Sequence, residues 1–193
     1  MDYKFFLFGI KNIFMNPAKA WETIDSENNP VRVVRDSFLL PLVILVSISA
    51  TAGSLIFTNT ELSPAYSIFV GVRSFILLYF TIYATAFIFG EITYQLDLGK
   101  DFSVSFRIIA FSIAPFLICQ IMSGLFESLL FVNVLGLYGL YIFWTGIEKL
   151  LTPPQYKKMP LLIAATIAMV VIYVATNALL NMLIDKIYYA FFA

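Results

Sequence analysis

The sequence predicts an all-α, polytopic integral membrane protein with five transmembrane helices and an N-terminal interfacial amphipathic helix. Three observations support this prediction. Of the 193 residues, 61% are hydrophobic and 12% are charged, whereas soluble domains carry about 25% charged residues. Five stretches of 17 to 26 residues contain no Asp, Glu, Lys or Arg, close to the roughly 20 helical residues that cross a bilayer. These stretches are continuously apolar, without the alternation of barrel strands.

The N-terminal segment, residues 1–35, is expected to form cytoplasmic or interfacial helices ahead of a transmembrane domain over residues 36–193. In its first helix the apolar residues share one face, opposite Lys4 and Lys11. This arrangement is typical of a helix that lies in the headgroup plane. A second interpretation, compatible with the first, is that the apolar face packs on the transmembrane bundle.

A second short helix follows. Asn16 and Pro17 predict an N-cap and a proline at the first helical position. Asn28, Asn29 and Pro30 are expected to end this helix. Trp21 within it is suited to the membrane interface, where its ring is buried and its indole N–H remains wet.

The five spans are predicted from the uncharged stretches and from the breaks between them. Polar residues and Pro64 predict a loop over 58–68, residues 98–101 have the composition of a turn, and Pro153 and Pro154 separate the last two spans. Ser103 or Ser105 is the expected cap of the third span. The spans are expected near residues 37–58, 70–91, 106–124, 128–147 and 160–183.

The orientation follows from Lys and Arg, because acidic residues barely influence topology. Only Arg73 and Lys186 fall on one side of the predicted membrane. The other ten basic residues fall on the side of the N-terminus: Lys4, Lys11, Lys19, Arg32, Arg35, Lys100, Arg107, Lys149, Lys157 and Lys158. We therefore expect a cytoplasmic N-terminus and an external C-terminus. The lack of any Asn-x-Ser/Thr acceptor favours the cytoplasmic (inner) membrane of a prokaryote.

Composition also narrows the chemistry. The chain has no histidine, the commonest general base and metal ligand. Its one cysteine, Cys119, lies in an apolar run and is interpreted as a buried small hydrophobe. The basic residues form no stripe of the kind that binds nucleic acid. We predict no catalytic residues, no metal site and no cofactor, and we interpret Asp97 and Asp101 as parts of a solvated turn.

A polar cluster is predicted at the cytoplasmic mouth of the bundle, where Glu91, Arg107 and Glu148 map to the ends of three spans. In one interpretation Arg107 bridges the two glutamates. In the other, each side chain reaches the headgroups independently.

Gln120, Asn133, Asn177 and Asn181 are expected to face protein or water, since an unpaired amide in lipid is costly. Pro115 removes the donor to the Phe111 carbonyl and predicts a kink or a neighbouring donor. Ser49 and Gly53 allow a close helix crossing. The candidate buried polar and packing positions are Pro115, Gln120, Asn133, Gly136, Gly139, Asn177 and Asn181.

Several motifs, in order, resemble those of the Yip domain family, five-span membrane proteins named for interaction with Ypt/Rab GTPases. They are Asn16-Pro17-Ala18-Lys19-Ala20-Trp21, the Gly99-Lys100 turn, Phe106-Arg107 with Ala110, Ser112 and Pro115, and Gly136-Leu137-Tyr138-Gly139-Leu140-Tyr141. The resemblance implies a cytoplasmic N-terminus and membrane-protein partners, and this chain would be a prokaryotic member. Its N-terminal segment is short for engaging a GTPase, so we expect no Rab-type partner.

Two functional hypotheses follow. The first is a non-enzymatic membrane scaffold or adaptor that acts through contacts with lipids, with copies of itself or with another membrane protein. The alternative is a small-solute or ion transporter or channel, built as an oligomer. An intramembrane enzyme is not expected, because the sequence lacks the motifs of known intramembrane chemistry.

Overall fold

A computed structural model describes residues 3–57 and 64–192, and every element within those two ranges is helical. Four of its helices are long and apolar enough to cross a membrane, and a bent pair makes a fifth when it is counted as one span. The predicted all-α membrane fold is therefore confirmed. The beginning of the predicted loop at 58–68 lies outside the described residues, and the next helix begins at Pro64, earlier than predicted.

Two short helices precede the first span, α1 (Tyr3–Met15) and α2 (Pro17–Glu27). The predicted cap is confirmed: the Asn16 side chain accepts a hydrogen bond from the backbone N–H of Lys19 at 3.1 Å, and Pro17 occupies the first turn. Asn28 ends α2 in the left-handed conformation, with φ of 42°. Short polar side chains tolerate this conformation better than most.

The inner face of α1 packs on the bundle. Ile13 is completely buried, and the Phe6 ring lies 6.3 Å from that of Phe38 in the first span. Leu7 and Met15 remain exposed. The packing interpretation of α1 is thus confirmed, while its position in the headgroup plane stays a prediction.

The first span is Val31–Phe57, so the helix begins before the predicted residue 37. It starts directly after Pro30, whose extended backbone precedes the first turn. Charged residues do not end this helix, because the Arg35 guanidinium pairs with the neighbouring Asp36 carboxylate at 2.6 Å within a π-helical turn, Arg35–Leu39. The second span belongs to the helix Pro64–Gln95, which is longer at both ends than the predicted 70–91.

The third span is broken. Phe102–Ser112 and Ala114–Leu125 meet at a bend of 41°, which confirms the kink predicted from Pro115. The predicted serine cap is wrong, since Asp101 caps this span by accepting from the backbone N–H groups of Ser103 and Val104. Gly99, with φ of 89°, makes the preceding turn and so brings Asp101 to the N-cap position.

The fourth span, Ser128–Leu151, combines three helical geometries: a 3₁₀ helix (Glu127–Leu137), an α-helix (Tyr138–Gly146) and a π-helical turn (Ile147–Leu151). Thr152 in the left-handed conformation and the two prolines then end it as predicted. The fifth span belongs to the helix Gln155–Phe192. This helix begins before the predicted residue 160. Pro160 lies in its second turn and does not end the helix.

Close backbone crossings join the spans. Gly53 of the first span and Gly124 of the third lie so close that a Cβ on Gly53 would overlap the Gly124 carbonyl oxygen. The predicted close crossing at Ser49 and Gly53 is thus confirmed. The aromatic core lies nearer the end of the bundle that carries α1 and α2, where the Phe38 and Phe111 rings pack at an interplanar angle of 37° with centroids 4.3 Å apart.

We predict that Gly53→Ala destabilises the bundle by about 1–3 kcal/mol, because the added methyl group forces two helix backbones apart. Gly90→Ala is the matched control: its Cβ would meet Ser105 Oγ at 3.4 Å, an ordinary contact. Unfolding in detergent micelles measures both. Equal stability of the two variants would contradict the crossing.

Candidate functional site

The described ion pairs all lie at the end of the bundle that carries α1, α2, residues 96–101 and residues 152–154, here called the N-terminal end. The predicted mouth cluster is not formed there. Glu91 pairs with Lys100, and Glu148 pairs with Lys158 at 2.7 Å. Each glutamate therefore has a lysine partner from a nearby turn or helix, and Arg107 bridges neither of them.

Arg107 is buried, with 3% of its surface exposed. Its Nε and Nη1 atoms have no hydrogen-bond partner in the part of the chain that the structure describes. It lies one helical turn before Phe111 and therefore on the same face of the third span, the face that contacts Trp21. Both sequence interpretations of Arg107 are wrong, because the two glutamates pair with lysines and because a buried side chain does not extend to headgroups.

Trp21 holds α2 on the bundle. Its side chain is completely buried, and its Nε1–H donates to the backbone carbonyl of Ile142 in the fourth span at 3.0 Å. Its ring meets Phe111 edge-on, with centroids 5.9 Å apart. The expectation of a wet indole at the membrane interface is wrong, because a carbonyl inside the bundle supplies the acceptor that water would otherwise provide.

The fourth span is adapted to this contact. A Cβ on Gly146 would lie 2.8 Å from the Trp21 ring, so only glycine leaves room for the indole. The Ile142 carbonyl also accepts from the Thr145 hydroxyl at 2.8 Å. It therefore has two side-chain donors just before the helix changes from α to π geometry at Ile147.

Lysine side chains connect separate helices at the N-terminal end. Lys149 at the end of the fourth span donates to Glu22 of α2 at 2.6 Å, and this hydrogen bond lowers the pKa of the Glu22 carboxyl below its ordinary value of 4.5. The stabilisation from this pair is therefore present at neutral pH and is lost as the pH falls through the lowered pKa. Lys157 donates to the Leu96 carbonyl and joins the start of the fifth span to the loop after the second.

The predicted amides have different environments. Asn133 accepts from the Ser123 hydroxyl at 3.3 Å, and Asn177 accepts from Arg73 of the second span. Gln120 is half-buried. These three positions lie at least partly within the bundle. Asn181 does not, since its side chain is exposed on the fifth span.

The remaining predicted positions surround a cleft between the third, fourth and fifth spans. Its volume is about 350 Å³. Pro115 bends the third span beside it, and Gly136 and Gly139 let the fourth span approach the third there, because a Cβ on Gly139 would overlap the Ser112 carbonyl oxygen. The cleft is lined by Ile109, Ser112, Ile113, Phe116, Asn133, Gly136, Leu137, Gly139, Leu140, Phe143, Ala165, Thr166, Met169, Val170 and Tyr173.

The walls of the cleft are apolar with few polar groups. Ser112 is buried, and its Oγ has no hydrogen-bond partner among the described residues. Thr166 donates to the Leu162 carbonyl of its own helix at 2.7 Å. Leu137, Leu140 and Val170 are also exposed on the outside of the bundle, so the cleft opens sideways between the fourth and fifth spans.

Sequence reasoning missed two functional features. The docking of Trp21 depends on Gly146 and on a carbonyl more than 120 residues away, and no local pattern signals that contact. The sequence does contain an indication for the free hydroxyl of Ser112, since Pro115 three residues later predicts an irregular helix at this point. Its place in the cleft wall depends on Gly139 of another span.

We predict that Trp21→Ala destabilises the protein by about 3–5 kcal/mol, because it leaves a cavity where the indole was buried. Trp21→Phe retains most of the packing and loses one hydrogen bond, so it costs about 1 kcal/mol. Unfolding in micelles and the rate of proteolysis within α2 measure the effect.

Trp144→Phe is the control, because Trp144 is only half-buried. In that variant the remaining indole, Trp21, is expected to fluoresce at short wavelength and to resist quenching by iodide. Strong quenching would show that Trp21 is exposed to water and would contradict its docking.

Comparison with known proteins identifies the family. Searches of curated proteins and of solved structures gave no match to this chain. A family model described as the Yip1 domain matches residues 11–183. The match includes α2, all five spans and the residues of the cleft. The chain therefore belongs to the Yip1 domain family.

Proposed function

We propose that the protein is a non-enzymatic scaffold or adaptor of the membrane, acting through helix–helix and lipid contacts. Membership of the Yip1 domain family and the membrane-spanning helices support its place in a membrane. The observation that carries the proposal is the low burial of the fifth span. In the most apolar 18-residue stretch of this span, only 17% is buried within the chain. The corresponding shares in the first, second and fourth spans are 39%, 44% and 39%.

The uncovered surface forms a continuous stripe. Ile167, Val171, Val174 and Ala178 follow one another at helical spacing and are all exposed. We call them the outer face of the fifth span. Exposed apolar side chains alone need no partner in a membrane, because lipid tails are equally apolar.

Asn181 provides the argument for a protein partner. It lies seven residues after Val174, close to the same stripe, and its amide is exposed. An amide on a lipid-facing surface gains by bonding to another helix, by about 0.6–2 kcal/mol. A second copy supplies the matching amide, since a two-fold axis brings Asn181 against its own counterpart. We therefore infer a homodimer through the outer face.

The orientation and location belong to the same proposal. Ten of the twelve basic residues lie on the N-terminal side of the predicted membrane. The lysine–glutamate pairs also lie at that end of the bundle. From the positive-inside rule we infer that this end is cytoplasmic and that the C-terminus is external. We propose the inner membrane of a bacterium as the location. The exposed Leu7 and Met15 of α1 then face the headgroup region.

For the orientation, we predict opposite labelling of two single-cysteine variants made in a Cys119→Ala background, Lys19→Cys and Lys186→Cys. In intact cells a membrane-impermeant maleimide is expected to modify only the variant at position 186. In inside-out vesicles it modifies only the variant at position 19. The reverse pattern would overturn the assigned orientation.

For the dimer, we predict disulfide-linked dimers from Val171→Cys, Val174→Cys and Ala178→Cys in the same background after mild oxidation in native membranes. The controls Ile44→Cys and Ile48→Cys lie on the exposed surface of the first span and are expected to remain monomeric. Asn181→Leu should lower the dimer yield several-fold.

Monomers at every position, or equal cross-linking on the first span, would contradict the dimer. Purified protein in liposomes separates the proposal from the transport alternative. Flux of ions or small solutes above that of empty vesicles would replace the scaffold proposal with that alternative.

A further inference from the structure

The cleft between the third, fourth and fifth spans has the dimensions of a site for one extended chain. Its lining residues on the fifth span run from Ala165 to Tyr173, about 12 Å at 1.5 Å per residue. The 350 Å³ volume is the space open to the centre of a water-sized group. Spread over that length, it corresponds to a free width of about 9 Å, whereas an α-helix with its side chains is about 10–12 Å wide. The cleft is therefore too narrow to enclose a helix of a partner protein.

The opening of the cleft determines what can reach it. Leu137 and Leu140 of the fourth span and Val170 of the fifth line the cleft and are also exposed at its edge. All three lie well inside membrane-spanning segments, so the surrounding medium is hydrocarbon. The ligand must enter sideways from the lipid.

The polar groups of the wall do not favour water in the cleft. A buried water usually needs two to four polar partners. Ser112 offers one free hydroxyl and Tyr173 carries a second, whereas the Thr166 hydroxyl and the Asn133 carbonyl oxygen already have partners in the protein. Much of the remaining wall consists of aliphatic and aromatic side chains, among them Phe116, Phe143 and Met169.

We propose that this cleft binds the acyl chain of a membrane phospholipid, which enters between the fourth and fifth spans and lies against Gly136 and Gly139. Both glycines line the cleft where the fourth span crosses the third, because a Cβ at either position would press against Phe116 or the Ser112 carbonyl oxygen. The cleft covers about 12 Å of a hydrocarbon core of about 30 Å. It therefore holds part of one chain and leaves the headgroup free at the membrane surface.

The test uses the full chain in vesicles of phosphatidylethanolamine and phosphatidylglycerol that contain a phospholipid with a photoactivatable diazirine in its acyl chain. After irradiation, mass spectrometry locates the modified residues. We expect preferential labelling of Leu140 and Met169 in the cleft over Ile76 and Phe80, which are exposed to lipid on the second span.

Val170→Trp closes the mouth of the cleft and is expected to lower labelling of Leu140 and Met169 at least fivefold. Val171→Trp is the matched control, because Val171 is about as exposed as its neighbour Val170 but does not line the cleft. Labelling of Ile76 and Phe80 should be the same in both variants. Thermal unfolding in micelles checks that both are folded.

Three results would overturn the proposal. In the first, the cleft residues are labelled no more strongly than the residues of the second span. In the second, Val170→Trp leaves the labelling of the cleft unchanged. In the third, cleft residues are cross-linked to a second copy of the protein instead of to lipid. The lipid site and the proposed dimer can fail separately. Val171→Trp alters the outer face of the fifth span and should weaken the dimer, while Val170→Trp should remove the lipid.

Discussion

The hydrogen bond from the Trp21 indole to the Ile142 carbonyl fixes the N-terminal segment to the membrane-spanning bundle. The ring fills the space that Gly146 leaves open and packs edge-on against Phe111. The contact therefore joins α2 to the third and fourth spans at once. Phe111 also packs against Phe38 of the first span, so the same ring connects the N-terminal segment to a third helix of the bundle. An N-terminal segment with few residues thus becomes part of the core.

The buried Arg107 is the costly element of this arrangement. A guanidinium away from water is unfavourable unless hydrogen bonds replace its hydration, and two of its nitrogen atoms have no partner among the described residues. Glu22, Glu91 and Glu148 pair with lysines instead. Among the described ion pairs, no carboxylate offsets the charge of this guanidinium.

At mid-membrane the shape of the bundle depends on helix irregularity. Pro115 bends the third span, and the fourth span begins as a 3₁₀ helix. The glycines at 136 and 139 bring the two spans together there, while most of the fifth span's surface remains exposed. Straight, evenly packed helices would close this region. The sideways cleft and the uncovered outer face are thus two results of the same incomplete packing, one suited to a lipid chain and the other to a second copy of the protein.

The sequence by itself determined the helical class, the five membrane-crossing segments, the kink at Pro115 and the cap at Asn16. These features depend on local properties: the length of an uncharged run, a missing N–H, a side-chain oxygen beside free backbone donors. Only the tertiary structure decided the partners of Trp21, Glu91 and Glu148, the burial of Arg107, and the place of Ser112 in the wall of a cleft. A charged or aromatic side chain can reach several neighbouring groups. Which contact forms depends on which distant helix approaches it and how closely. Small residues such as Gly139 and Gly146 set that approach, and their effect becomes visible only when both helices of the crossing are known.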